Sequence, residues 1–186
     1  IHNGLTINLM ADYSNNIALT NHTSYSFIDY ENKQIRPNIP ENKQMEPWQL
    51  LSHQSMVGRI ELEYTPRYRY RVKNQVKTYA ESRYPTFNLI YRGGFSGIAG
   101  IDSRYDLLKA GIRQQFHFGI DDHFNYSLTA GTFLNNESVF FEDFQHFNTQ
   151  PTGFLFASYD NSFRLLPFYG YSTQKSFTET HTNWQT

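Results

Sequence analysis

The chain has 186 residues, a formal net charge of −1 and no cysteine. That balance names no partner, since a nucleic-acid binder carries a clear basic excess, and the missing cysteine removes disulfides, thiolate metal sites and a Cys nucleophile. Aromatics reach 17%, the mean hydropathy is −0.62, and no apolar run is long enough for a membrane helix, a test that says nothing of a β-barrel whose strands hide their apolar half in alternation.

Gly4 to Tyr13 alternates, with Leu5, Ile7, Leu9, Ala11 and Tyr13 against Thr6, Asn8, Met10 and Asp12. Alternation is the mark of a strand, because successive side chains point to opposite faces. Ser14-Asn15-Asn16 reads as a turn, and a second strand is predicted from about Ile17 to Tyr30. Glu31 to Ser55, with Pro37, Pro40 and Pro47, reads as a long polar connection. Met56 to Lys73 keeps its parity throughout, apolar or Tyr on even positions and charged on odd, with a break or bend at Pro66, which cannot donate to a ladder. Asn74 to Tyr84 is ambiguous, and Pro85 to Phe95 is strand-like. Gly93, Gly94, Gly97 and Gly100 mark a loop that lacks the Lys-Ser/Thr of a nucleotide-binding loop.

The clearest pattern runs from Leu107 to Leu134. Leu108, Ala110, Ile112, Phe116, Phe118 and Ile120, with Gln114 as the exception, lie opposite Lys109, Gly111, Arg113, Gln115, His117 and Gly119. Asp121-Asp122-His123 interrupts, and Phe124, Tyr126, Leu128 and Ala130 then resume the alternation. Both halves exceed the usual soluble strand of about five or six residues and reach the roughly nine to eleven that cross a bilayer. Asn135 to Gly153 reads as another long loop, and Phe154–Tyr159 with Phe163–Thr173 as a last hairpin. Short connections near Ser14, Asn74, Asp121 and Asp160 thus alternate with long ones along eight strands, the asymmetry of outer-membrane barrels.

Several phrases, taken in order, resemble one family: Tyr64-Thr65-Pro66, Ser82-Arg83-Tyr84-Pro85-Thr86-Phe87, Tyr91-Arg92-Gly93-Gly94, His146-Phe147-Asn148, the run Phe163 to Thr173, and Glu179-Thr180-His181. They resemble an uncharacterised outer-membrane family of Bacteroidota. Its members carry a carboxypeptidase-regulatory-like β-sandwich followed by a domain of unknown function that forms a barrel similar to the surface-antigen class. The resemblance covers roughly Met56 to Trp184 and implies no enzymatic activity in the barrel. Thr149-Gln150 stands where the family pattern has a Gly-Asn step. Since the chain opens at Ile1 without Met, we expect a piece of a longer protein, with the sandwich and further strands elsewhere.

The candidate site residues are the polar ones expected to face a barrel lumen: Arg67, Arg69, Arg71 and Lys73, then Lys109, Arg113, Gln115 and His117. The basic ladder could hold anionic headgroups or polysaccharide, but the plainer reading is solvated residues paired with carboxylates such as Glu61 and Glu63. Tyrosines interleave with it on the opposite face, which argues against base stacking on a nucleic acid. Glu137, Glu142, Asp143 and His146 share a loop without any metal-ligand spacing, and no hydrolase elbow or metalloprotease motif occurs.

The expectation is therefore all-β: an antiparallel meander forming part of a transmembrane outer-membrane β-barrel, a single partial domain over 1–186. It would be non-enzymatic, serving export, assembly or anchoring, with outer-membrane lipid as its partner and no cofactor, metal or nucleic acid. The alternatives are a soluble or surface all-β carbohydrate-binding module, and an outer-membrane hydrolase.

Overall fold

The structure is a computed structural model, and it describes residues 4–18, 51–67, 70–79, 82–97, 100–119, 121–150, 162–167 and 169–186. Alternating sequence becomes strand almost everywhere: β1 Leu5–Asn16, β2 His53–Tyr64, β3 Tyr70–Lys73, β4 Val76–Tyr79, β5 Thr86–Gly94, β6 Arg104–Phe118 and β7 Asp122–Ser138. A 3-10 turn at Phe141–Asp143 comes next, then β8 Thr149–Gln150, β9 Phe163–Arg164 and β10 Phe177–Gln185. Six strands form one sheet in the order β1-β2-β5-β6-β7-β10, every neighbour antiparallel, while β3-β4 and β8-β9 are separate two-stranded sheets. The large sheet is a meander in chain order, and β3-β4, β8 and β9 lie in its connections.

The strand pair read most clearly in the sequence is the longest in the sheet, β6 and β7 at 15 and 17 residues. Ile112 pairs with Leu128 and Ala110 with Ala130, so the two apolar rows share a face. The register slips near Asp106, where the pairs Asp106–Asn135 and Leu107–Phe133 leave Leu134 extra. Such a bulge bends a strand and re-aims the side chains beyond it.

Local signals failed where long-range pairing was stronger. Ser14, Asn15 and Asn16 are not a turn but the end of β1, paired with Ser55, Gln54 and His53. Their side chains bridge the strands, Ser14 Oγ to Ser55 Oγ at 2.8 Å and Asn16 Nδ2 to His53 Nε2 at 3.0 Å. The predicted strand at 17–30 lies, from residue 19 on, outside the described residues.

The strand predicted over 56–73, with its break or bend at Pro66, ends at Tyr64, because Pro66 cannot join a ladder and Arg67 takes a left-handed φ of 48°. The chain then makes the β3-β4 hairpin through Asn74 and Gln75, both with positive φ, as a tight two-residue hairpin turn requires. The strand predicted at 163–173 shrinks to β9, because Leu165 and Tyr169 adopt φ of 60° and 62° and Pro167 lies between them. Residues 154–159 lie outside the described residues. The place beside β7 goes to β10, which periodicity alone did not assign to a strand.

Glycine supplies room on this sheet. A Cβ on Gly131 would lie 2.5 Å from the Phe177 ring and 2.9 Å from Lys109 Cγ, and one on Gly111 2.3 Å from Asn88 Oδ1. Gly131→Leu should therefore displace Phe177 and unseat β10. Overpacking of this kind costs about 1–3 kcal/mol, readable as a lower denaturant midpoint, whereas Ala130→Leu on the open face should leave the midpoint within about 0.5 kcal/mol of the parent.

Candidate functional site

The register sorts side chains into two faces of opposite character. One face carries the cross-strand rows Leu5–Tyr64–Phe87–Ile112–Leu128 and Ile7–Leu62–Leu89–Ala110–Ala130. Its large side chains stand in the open: Leu9 is 73% exposed, and Ile7, Ile60, Tyr64, Phe87, Leu89 and Leu128 are all exposed as well. Towards the short turn between β6 and β7, this face becomes aromatic. Phe116 stacks with Phe124 and Tyr126, and Phe118 stacks with Trp184 at 5.5 Å between ring centres.

The other face carries Arg59, Glu61, Glu63, Asn88, Arg92, Lys109, Arg113, Gln115, Asn125, Thr129, Glu179, His181 and Asn183. Among the described residues two ion pairs run along it, Arg59–Glu61 at 3.2 Å and Arg113–Glu63 at 2.9 Å, and His181 Nε2 lies 2.6 Å from a Glu179 carboxylate oxygen. The arginine pairs are partly exposed and contribute little to stability. Their effect is local, holding long side chains in fixed positions. β10 records the same division in single residues, Phe177, Glu179, His181 and Asn183 half-buried against exposed Thr178, Thr180, Thr182 and Trp184.

What the fold buries lies on this polar face. Tyr105 and Leu107, both fully buried, pack with Val139, Phe141 and Phe144 from the segment after β7. Asp143 pins that segment. Its carboxylate accepts from Tyr105 Oη at 2.9 Å and Ser103 Oγ at 3.3 Å, and Arg92 donates to its backbone carbonyl. Lys109 Nζ reaches Gln145 Oε1 at 3.4 Å. Gln145 also pairs with Thr173 through both backbone groups, tying in the stretch that leads to β10. His146 closes the clasp, with Nδ1 at 2.7 Å from Ser172 Oγ and Nε2 at 2.8 Å from the Phe141 carbonyl. Since the carbonyl can only accept, Nε2 carries the proton and Nδ1 accepts from the serine. This Ser–His contact has the sense of a general base, but Ser172 is buried at 5% exposure and the arrangement fastens two loops.

Beside this covered region, the polar face opens into a cavity of about 660 Å³. Thr86, Arg113, Gln115, His117, Asn125, Ser127, His181 and Asn183 line it from the sheet, Thr65, Ser82 and Tyr84 from the β2–β5 connection, and Ser162 and Arg164 from β9 and its approach. Gln114, Tyr126 and Thr182, of the opposite parity, also border it.

The sequence-derived candidates divide accordingly. Arg113, Gln115 and His117 line the cavity, and Lys109 lies on the same face against the clasp. Arg67 instead occupies a turn, donating to Tyr84 Oη at 2.8 Å. Arg71 and Lys73 belong to β3 and so to a separate sheet, and Arg69 lies outside the described residues. The loop acids disperse: Glu137 pairs with Arg104 at 3.0 Å while Asp143 and His146 serve the clasp. Among the described residues no group of three or more His, Asp or Glu converges. Sequence reading missed His181, Asn183 and Arg164, although the regular alternation from Phe177 to Trp184 was there to place the first two.

These features define an all-β protein built on one antiparallel sheet with an open apolar face and a covered polar one. The chain belongs to the family of unknown function DUF5686, whose C-terminal domain it matches over residues 1–186. Comparison with curated proteins and with solved structures returns no match.

The clasp can be tested in two ways. Asp143→Ala strands the buried hydroxyls of Tyr105 and Ser103, at about 1–3 kcal/mol for each unsatisfied group. Protease cleavage within 139–148 should speed up well before the sheet unfolds. Burial holds the pKa of His146 below its ordinary value, outweighing the carbonyl bond that raises it. The folded state thus binds fewer protons than the unfolded one, and stability is lost as pH falls below about 6.5 towards the depressed value. The denaturant midpoint should drop between about pH 7 and pH 5, and His146→Gln should flatten that dependence.

Proposed function

We propose that the chain is a sector of an outer-membrane β-barrel that works without catalysis in export, assembly or anchoring. The observation that carries this reading is the inversion of burial: the apolar face of the sheet is open while the buried cluster sits on the polar face. Fully burying one Leu, Ile or Phe contributes about 1.5–3 kcal/mol. A water-soluble fold would use its connections to cover that face, and among the described residues the connecting segment 139–148 covers the other. Lipid is the solvent in which the arrangement is favourable, because the apolar rows then meet hydrocarbon and the polar rows enclose water and loops.

Strand length and rim chemistry support the same reading. The six strands run from 9 to 17 residues, against the roughly nine to eleven needed to cross. The cluster of Phe116, Phe118, Phe124, Tyr126 and Trp184 sits where a barrel carries its interfacial aromatic girdle. Among the described residues β1 and β10 form the two edges of the sheet, and lipid tolerates no open edge, so a barrel needs further strands beside them. A Bacteroidota outer membrane and an N-terminal carboxypeptidase-regulatory-like domain belong to this proposal through the sequence resemblance.

The alternative, a soluble all-β binding module, puts a second sheet or a partner on the apolar rows. Two measurements separate the readings. The full-length protein should leave the membrane fraction only with detergent and migrate differently on a gel before and after boiling, and a product that is soluble in buffer overturns the barrel. Lys at Ile112 or Leu128 should cost about 2–4 kcal/mol of stability in bilayers and little in the absence of lipid. Equal loss in plain buffer favours the module.

A further inference from the structure

The cavity over the lower polar face has an unusual lining for an almost neutral chain. Seventeen acidic residues offset sixteen basic ones overall, yet among the described residues the lining contains Arg113, Arg164, His117 and His181 and no carboxylate. Among the described acids, Glu63 lies 2.9 Å from Arg113 and Glu179 2.6 Å from His181, and neither belongs to the cavity wall. Glu63 fixes the Arg113 guanidinium at the cavity wall.

The remaining wall is made of amide and hydroxyl side chains together with Tyr84 and Tyr126. Amides both donate and accept, as sugar hydroxyls do, and a tyrosine ring offers an apolar surface with a polar tip. Arginine supplies the planar fork that grips a phosphate or carboxylate. A volume near 660 Å³ falls within the usual range for small-molecule sites.

We infer that this cavity binds an anionic saccharide, a sugar bearing phosphate or carboxylate, with Arg113 and Arg164 holding the charged group and Gln115 and Asn125 the hydroxyls. This goes beyond the barrel reading and does not depend on it. Binding to a protein soluble in buffer would retain the site and sink the barrel, while a detergent-extracted barrel without binding would do the reverse.

The test is calorimetric titration of the purified full-length protein with glucose 6-phosphate, galacturonate, glucose and inorganic phosphate at low ionic strength. The expected result is saturable binding of at least one of the two anionic sugars, at least tenfold weaker binding of glucose and of inorganic phosphate, and weakening with added salt. Arg164→Gln and Asn125→Ala should each reduce affinity for that sugar by about tenfold. The Arg113–Glu63 pair is partly exposed and contributes little to stability, so Arg113→Gln should stay folded and lose affinity as well, and Arg164→Gln and Gln115→Ala repeat the test away from that pair. Absence of binding by both anionic sugars, glucose binding as tightly as its phosphate, or affinity unchanged in the folded variants overturns the inference. Inorganic phosphate binding as tightly as the sugar phosphate overturns the saccharide and leaves a simple oxyanion site.

Discussion

Period-two alternation over long strands puts an apolar row and a polar row back to back, and each row needs a different solvent. From Leu5 on β1 to Leu128 on β7 the apolar rows line up across the sheet, and among the described residues no connection folds over them. The covering segment, 139–148, lies instead on the side where Arg92, Lys109 and Asn88 stand. That placement governs the rest. It positions the buried Tyr105–Phe144 cluster, requires an acid such as Asp143 to satisfy hydroxyls that would otherwise be buried without partners, and leaves a cavity below the clasp.

Much of the sheet was legible because alternation is local and uninterrupted. Leu107 to Leu134 gave both the strand pair and the face of each residue, and Arg113, Gln115 and His117 were assigned to the polar side on parity alone. The failures share a cause. Ser14-Asn15-Asn16 has turn chemistry, but pairing with Ser55, Gln54 and His53 prevails. The stretch 163–173 reads as half of a last hairpin, yet Leu165 and Tyr169 adopt left-handed backbone, a feature that residue type does not encode.

The site was legible only by row. Parity says which residues share a face, and gives no distance between Arg164 and Asn125, whose strands are not sequence neighbours. The basic ladder illustrates the risk: Arg67 to Lys73 reads as one face, and a turn at Arg67 removes it from the main sheet. The clasp was equally hidden, since Asp143, Tyr105, His146 and Ser172 meet only after the segment folds back over β6.

The central claim is that the open face of this sheet meets lipid. Spin labels placed singly along β6 and β7 of the full-length protein in bilayers test it most directly. Residues Ala110, Ile112, Leu128 and Ala130 should be accessible to oxygen and shielded from a water-soluble relaxation agent, while Gln115 and Asn125 should show the opposite preference, with period two along each strand. Accessibility to the aqueous agent on both faces, or loss of the alternation, would contradict the account.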